Sequence, residues 1–172
     1  MKYLWVTWLF AVSAFTFTPG ASAQGDRPRA CAADEHRQFD FWLGAWDVFE
    51  TNGTAVVADV RVTADFDGCV IREQYHDTQG LQGESLSSYD GKTGTWQQTW
   101  VTNRGQLLVI HGRGEGAAMV FSGWIHEGAN ESLVRATWSP DGSAVRETAQ
   151  RSADGGKTWS PWFDLMFRLK TR

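Results

Sequence analysis

The sequence has few basic residues and none of the short motifs that mark common catalytic sites. Its 16 lysines and arginines are outnumbered by 20 aspartates and glutamates, which gives a net charge of −4. Binding to nucleic acid is therefore not expected, because that function requires a basic surface. The chain also lacks a Gly-x-Ser-x-Gly nucleophile motif and a phosphate-binding glycine loop. Its four histidines show no metal-ligand spacing, so we predict no metal site.

Long apolar runs are missing except near the N-terminus. Residues 4–17 are apolar, follow Lys2 and precede the small residues Ala21-Ser22-Ala23, which is the pattern of a secretory signal peptide. The run is shorter than the ~20 residues that a membrane-spanning helix needs. We therefore expect cleavage near Ala23, export to the periplasm or the cell exterior, and no membrane span in the mature chain. The remainder divides into an N-terminal arm at residues 24–38 and one domain at residues 39–172.

Cysteine is scarce, with only Cys31 and Cys69 in the whole chain. Two cysteines in an oxidising compartment usually pair, so we predict a disulfide bond between the arm and a later strand. Closing a loop of this length stabilises a fold by roughly 3–4 kcal/mol in the chain-entropy model. The alternative is two free thiols.

No segment shows convincing helical periodicity, and most of the chain alternates apolar and polar residues between turn signals such as Asn52-Gly53. Short strands at regular spacing indicate a sandwich or a barrel. The short links favour an all-β, up-and-down antiparallel β-barrel of about ten strands, whereas an open sandwich would need a long crossing connection. The predicted strands are 41–50, 55–66, 69–77, 84–90, 95–102, 106–112, 118–125, 132–139, 143–151 and 158–170, with a glycine-rich link at 112–116, a turn at 140–142 and an interruption at Pro161.

The aromatic stretch from Phe39 to Glu50 contains the residues that we expect to organise the barrel. We predict that Trp42 and Trp46 fill one end of it. Gly44 leaves room for the backbone to approach this end, and Trp46 lies two residues later on the same face of the strand. Both Gly44 and Trp46 are therefore predicted to be structural.

This stretch also carries a resemblance to known proteins. Gly44-Ala45-Trp46 resembles the Gly-x-Trp signature of lipocalins, and that resemblance implies that a basic residue on the last strand, here Arg168, packs on Trp46. The wider pattern is similar to a family of uncharacterised bacterial exported proteins with a lipocalin-like, calycin-type barrel. The resemblance implies a fold but no settled activity. It rests on Phe39 to Val48, Gly68-Cys69 through Glu73, Trp96 to Trp100, and Ser152 to Trp159.

The segment from Ser152 to Trp159 also resembles the Asp-box hairpin of sialidase propellers. A propeller requires several copies at a fixed period, and this chain has one. We therefore interpret the segment as a structural hairpin in which the Asp154 carboxylate accepts hydrogen bonds from the turn backbone.

Alternation along the strands places several polar side chains on apolar faces. A barrel interior takes every second side chain, so Glu73 and Tyr75 share an inner face with Ile71. Indole walls with a few polar groups are typical of a small-molecule pocket. The alternative is a packed interior in which Glu73 pairs with an arginine. The predicted ligand-binding residues are Trp46, Glu73, Tyr75, Tyr89, Gln98, Trp100 and Trp138, and Glu147 is a further inward-facing candidate.

Two functions fit such an interior. The first is binding of a small apolar or aromatic molecule without catalysis. The second is a lyase, hydratase or isomerase in which Glu73 is the catalytic general acid or base, because a carboxyl group among indoles has a raised pKa. No cofactor is predicted; a haem bound by His76 or His111 is the alternative.

Overall fold

The barrel is closed and all-β, as the sequence predicts. The computed structural model describes residues 30–128 and 130–171, and the predicted signal peptide at residues 1–23 lies outside them. Each strand pairs antiparallel with its neighbours in sequence, and the first and last strands pair to close the ring. The strands are β1 (Gly44–Glu50), β2 (Val56–Asp65), β3 (Val70–Asp77), β4 (Gln82–Asp90), β5 (Thr95–Thr102), β6 (Leu107–Glu115), β7 (Ala118–Glu127), β8 (Asn130–Asp141), β9 (Ala144–Ser152) and β10 (Ser160–Leu169).

Three short 3-10 turns accompany the strands, at Asp34–Arg37, Asp40–Trp42 and Phe66–Gly68. The first lies in the N-terminal arm. The second corrects the predicted start of the first strand, because β1 begins at Gly44 rather than at residue 41. The chain turns at this point so that Trp42 can enter the barrel end instead of continuing along its wall. In the part of the chain that the structure describes, no helix is long and apolar enough to cross a membrane.

The glycine-rich segment is mostly strand, which corrects the predicted link at residues 112–116. Gly112 and Gly114 lie within β6, and only Gly116 forms the turn, with a φ of +63°. A Cβ atom at Gly112 would overlap the carbonyl oxygen of Val120 on β7. Glycine is therefore required there by the close approach of two strands, which is information that a turn-based interpretation of glycine does not contain.

Proline has two different positions in this sheet. Pro161 coincides with a register shift between β10 and β9, which confirms the predicted interruption and is where a strand tolerates a residue without an N–H. Pro140 instead continues β8, opposite Val145. The turn predicted at residues 140–142 therefore starts later, after Asp141.

Aromatic side chains close the barrel end at which β1 begins. Phe39 and Trp42 are fully buried, and their rings stack with centroids 5.0 Å apart. Trp46 is 2 % exposed, and its indole N–H donates to the backbone oxygen of Trp42 at 3.0 Å. These contacts confirm that Trp42 and Trp46 close one end. We call this cluster the aromatic plug; it consists of Phe39, Trp42, Trp46, Trp96, Phe121, Trp138 and Phe167.

The N-terminal arm is attached to the same end of the barrel. Cys31 and Cys69 form the predicted disulfide bond, and the Arg37 guanidinium donates to the backbone oxygen of Gly68. Both contacts join the arm to the turn between β2 and β3. The covalent link therefore joins the segment that precedes the aromatic plug to the barrel.

Arg168 does not pack on Trp46, which corrects the contact implied by the resemblance to lipocalins. Its guanidinium lies 4.4 Å from the ring centroid of Phe49, and Arg168 is exposed. The side chain that meets Trp46 is Phe167, whose ring centroid is 6.5 Å away. Neighbouring side chains on a strand point to opposite faces, so Phe167 and Arg168 cannot both approach the interior.

The Asp-box segment forms the predicted structural hairpin at the other end of the barrel. The Asp154 carboxylate accepts hydrogen bonds from the backbone N–H groups of Lys157 at 3.0 Å and Thr158 at 2.9 Å. The bond from the Thr158 N–H, followed by hydrogen bonds from the hydroxyl groups of Thr158 and Ser152, holds the pKa of Asp154 well below its usual value. The Trp159 indole N–H closes the hairpin by donating to the Gly156 oxygen at 3.0 Å.

Candidate functional site

The barrel interior is not completely filled. A cavity of about 380 Å³ lies beyond the aromatic plug, which is near the lower end of the range of small-molecule pockets. The exposed residues Thr78 and Gln79, in the loop between β3 and β4, are part of its lining. The cavity is therefore open to solvent at the end of the barrel opposite the plug.

Five of the seven predicted ligand-binding residues line this cavity: Glu73, Tyr75, Gln98, Trp100 and Trp138. They come from β3, β5 and β8, and in each strand they occupy the predicted inward-facing positions. Alternation along a strand was sufficient to place them, because the inner and outer faces of a barrel differ in polarity.

Trp46 and Tyr89 do not line the cavity, which corrects their predicted role. Trp46 belongs to the aromatic plug. The Tyr89 ring lies at the same end, edge-on to His36 with centroids 5.1 Å apart and 6.0 Å from Trp96. Both face inward, but at a depth where the N-terminal segment already occupies the lumen.

Glu73 is buried in the cavity wall without a positively charged partner. Its side chain accepts a hydrogen bond from the Ser85 hydroxyl at 2.8 Å and the residue is only 7 % exposed. Among residues 30–128 and 130–171, no arginine, lysine or histidine forms an ion pair with it. Burial raises the pKa of Glu73 to about 7, and the hydrogen bond from Ser85 opposes part of this rise. The interior in which Glu73 pairs with an arginine is therefore not what the structure shows.

Glu147 is a second carboxyl group in the same cavity. It lies opposite Trp138 on β8 and Leu165 on β10. It retains accessible surface because it borders the cavity, but protein surrounds it, and this burial raises its pKa well above the usual value. The charge of Glu73 raises the pKa further, so the two carboxyl groups titrate as a coupled pair.

Indole and phenol groups surround these carboxyl groups. The Trp138 N–H has no hydrogen-bond partner among the described residues. It lies near Glu147, however, and it lowers the pKa of that carboxyl group by stabilising the carboxylate. The Tyr75 ring is edge-on to Trp100 with centroids 5.8 Å apart. Burial, followed by the charges of Asp77, Glu73 and Glu147, raises the pKa of Tyr75 to about 12, so its phenol remains a hydrogen-bond donor at neutral pH.

The neighbouring wall is polar but internally satisfied. The Gln98 side chain donates from Nε2 to the Ser87 hydroxyl at 3.1 Å, beside the Ser85–Glu73 hydrogen bond. Both serines are buried. A ligand would therefore meet Glu73 and Gln98 in orientations that their own hydrogen bonds already determine.

Trp162 is a lining residue that the sequence did not predict. It lies at the register shift next to Pro161, and its ring packs against Phe163 and under the Arg151 guanidinium, 3.5 Å from the ring centroid. Strict alternation would place Trp162 outside whenever Phe163 is inside. The proline was the available signal, because a bulge changes the direction of the side chains beside it.

The histidines considered for haem lie outside the cavity. His76 and His111 are exposed and occupy outward-facing positions of β3 and β6. Neither can reach a group inside the barrel. Within the described ranges, no three His, Cys, Asp or Glu side chains are grouped so that they could hold a metal ion.

Comparison with known proteins adds no assignment to this geometry. No protein-family model matches the chain, and a search of curated proteins gives no significant match.

Proposed function

We propose that this protein is an exported, lipocalin-like barrel that binds a small apolar or aromatic molecule in its cavity. The observation that carries the proposal is an open cavity with aromatic walls and a few oriented polar groups, including Glu73 and Gln98. Such a combination is typical of small-molecule sites. The disulfide bond between Cys31 and Cys69 supports export, because such bonds persist in oxidising compartments.

Dye binding tests the cavity directly. N-phenyl-1-naphthylamine, a neutral fluorescent dye, should bind and quench tryptophan emission, because indole rings line the cavity. Ala136→Phe should abolish this binding by filling the lumen, since Ala136 is a lining residue. Thr137→Phe is the matched control, because Thr137 is the next residue on β8 and faces outward.

Thermal melts check that each variant folds, and Ala149→Leu, also in the lining, replaces Ala136→Phe if that variant does not. Equal dye binding by the wild type and both lumen-filling variants would place the dye outside the cavity and contradict the proposal. Absence of dye binding would contradict it as well.

Export is tested separately. Mass spectrometry of the protein recovered from the periplasm or culture medium should show a chain that begins at Gln24 and lacks two hydrogens through its disulfide bond. A full-length cytoplasmic chain with two free thiols would contradict this part of the proposal.

A second candidate function is general acid–base catalysis by Glu73. It is favoured by the absence of a basic partner among the described residues and by a pKa of about 7, near the value at which a carboxyl group exchanges protons efficiently at neutral pH. Native mass spectrometry of protein from its own periplasm would identify a retained molecule. If Glu73 is catalytic, that molecule is converted by the wild type, whereas Glu73→Gln still binds it and leaves it unchanged. Equal conversion by both proteins would exclude Glu73 as the catalyst.

A further inference from the structure

The charged groups that line the cavity all have the same sign. Arg151 lies beside the lining, where its guanidinium covers the Trp162 ring and is already paired with Glu127. The lining includes the carboxyl groups of Glu50 on β1, Glu73 and Asp77 on β3, and Glu147 on β9. In the part of the chain that the structure describes, no lysine, arginine or histidine lines it. The remaining lining residues, on strands and loops, contribute apolar, aromatic, amide or hydroxyl side chains, and Tyr75 is the other titratable group.

The four carboxyl groups are not equivalent. Glu50 is exposed at the mouth, and the Asp77 carboxylate accepts hydrogen bonds from the backbone N–H groups of Gln79 at 2.7 Å and Leu81 at 2.8 Å. Asp77 is therefore occupied in holding its own loop. Glu73 and Glu147 lie deeper, where burying charge without a counterion is unfavourable. None of the four carboxyl groups forms an ion pair with a described residue, and Glu73 and Glu147 are the two for which that missing charge lies in the interior.

We propose that the ligand of the cavity is an organic cation, a protonated or quaternary amine carried on an apolar or aromatic body. The inference rests on the proposed binding function and adds the charge of the ligand. The ammonium group would lie between Glu73 and Glu147 and supply the positive charge that the barrel does not provide.

The aromatic walls favour the same ligand. Tyr75, Trp100 and Trp138 line the cavity together with the two carboxyl groups. Aromatic faces attract cations, and the attraction is stronger where water is excluded. An anion would meet repulsion from the carboxylates and would find no basic group among the lining residues.

A neutral ligand with a carbonyl or ether oxygen is the main rival. It would accept hydrogen bonds from protonated Glu73 or Glu147, so its binding would favour low pH. A cation binds the ionised carboxylates and releases protons where they were protonated. Burial raises the pKa of Glu73 to about 7, so the affinity for a permanently charged ligand should increase as pH rises through this region, and that for the neutral rival should decrease.

Three probes of similar size separate these possibilities: 2-phenylethylammonium, 2-phenylethanol and phenylacetate. Each competes with N-phenyl-1-naphthylamine at about pH 5.5 and about pH 8, a range that spans the titration of Glu73. At the higher pH, 2-phenylethylammonium should bind about tenfold or more tightly than the alcohol, since a buried charge pair contributes at least this much. Its advantage should shrink at the lower pH, and calorimetry in buffers of different ionisation enthalpy should show proton release.

Glu73→Gln and Glu147→Gln should each remove most of the preference for the cation while the dye still binds. Two variants are used so that the test survives if one does not fold. Glu84→Gln is the matched control, because Glu84 is on the outer surface, 3.4 Å from Arg72, and loses the same charge. It should leave the preference unchanged.

The outcomes distinguish the two proposals. If the dye binds but the alcohol or phenylacetate competes as well as the ammonium probe, the cation inference is wrong and the proposed binding function stands. The same conclusion holds if the dye binds and none of the three probes competes. It is also wrong if Glu84→Gln lowers the preference as much as Glu73→Gln. Loss of dye binding in the wild type would instead contradict the binding function itself.

Discussion

Replacing Glu73 by glutamine should change how the stability of the barrel depends on pH. Burial raises the pKa of Glu73 from 4.5 to about 7, so the folded state holds this proton more tightly than the unfolded chain does. The stabilisation is fully present below the unfolded pKa of 4.5 and is lost as pH rises through the folded pKa of about 7. Glutamine has the shape of the protonated side chain, can accept the hydrogen bond from Ser85, and does not ionise.

The size of the effect follows from the two pKa values. A shift of one pKa unit corresponds to about 1.4 kcal/mol. The raised pKa of Glu73 therefore changes the unfolding free energy by about 3 kcal/mol over the whole titration, of which about 2–3 kcal/mol falls between pH 5 and pH 8. Glu147 contributes in the same direction, and part of its raised pKa comes from Glu73. Neutralising Glu73 therefore also flattens the contribution of Glu147.

Urea unfolding followed by tryptophan fluorescence measures this difference. The wild type should lose stability between about pH 5 and pH 8, and Glu73→Gln should lose about 2–3 kcal/mol less. Glu84→Gln, which removes a carboxyl group from the outer surface, should follow the wild type. Parallel pH profiles for the wild type and Glu73→Gln would refute the reasoning, because they would mean that Glu73 has the same pKa in the folded and unfolded states.

Three further predictions follow from the packing. Trp46→Ala should lower the unfolding free energy by about 3–5 kcal/mol, and Arg168→Ala should lower it by about 0.5–1 kcal/mol. In the double variant the two losses should add, because Arg168 stacks on Phe49 rather than on the indole. A coupling energy above about 0.5 kcal/mol in urea unfolding would contradict this. Gly83→Ala should displace the Trp100 ring that lies over it, which would shift the tryptophan emission and weaken dye binding; unchanged emission and affinity would show that the ring is elsewhere. Reduction of the disulfide bond should lower stability by roughly 3–4 kcal/mol, and equal urea midpoints with and without reductant would argue against its contribution.

The two buried carboxyl groups of the cavity make the empty protein less stable, and the proposed cation would remove part of this cost. Two buried carboxyl groups without a counterion destabilise the folded state at neutral pH. Ser85 and Trp138 offset part of this cost, and a cation that enters the cavity would offset more of it. Glu73 and Glu147 are held on different strands, β3 and β9. A cation between them would therefore stabilise the barrel most at the pH at which the empty barrel is weakest.

Local pattern in the sequence was enough for the strands, their inner faces and the disulfide bond. Alternation has a period of two residues, so Glu73, Gln98 and Trp138 could be placed on inner faces without knowledge of any partner strand. Only one disulfide bond can form between two cysteines, and Asn52-Gly53 indicated the hairpin between β1 and β2 directly.

Depth within the barrel and contacts between distant strands were decided only by the tertiary structure. Alternation states that Trp46, Tyr89 and Trp100 face inward, but not that the first two meet the plug and the third meets the cavity. The 3-10 turn that brings Trp42 into the lumen sets that boundary. The electrostatic coupling of Glu73 to Glu147 likewise depends on closure of the barrel, because the two residues are far apart in sequence. A pattern with a period of two residues contains no information about which strands face each other across a barrel.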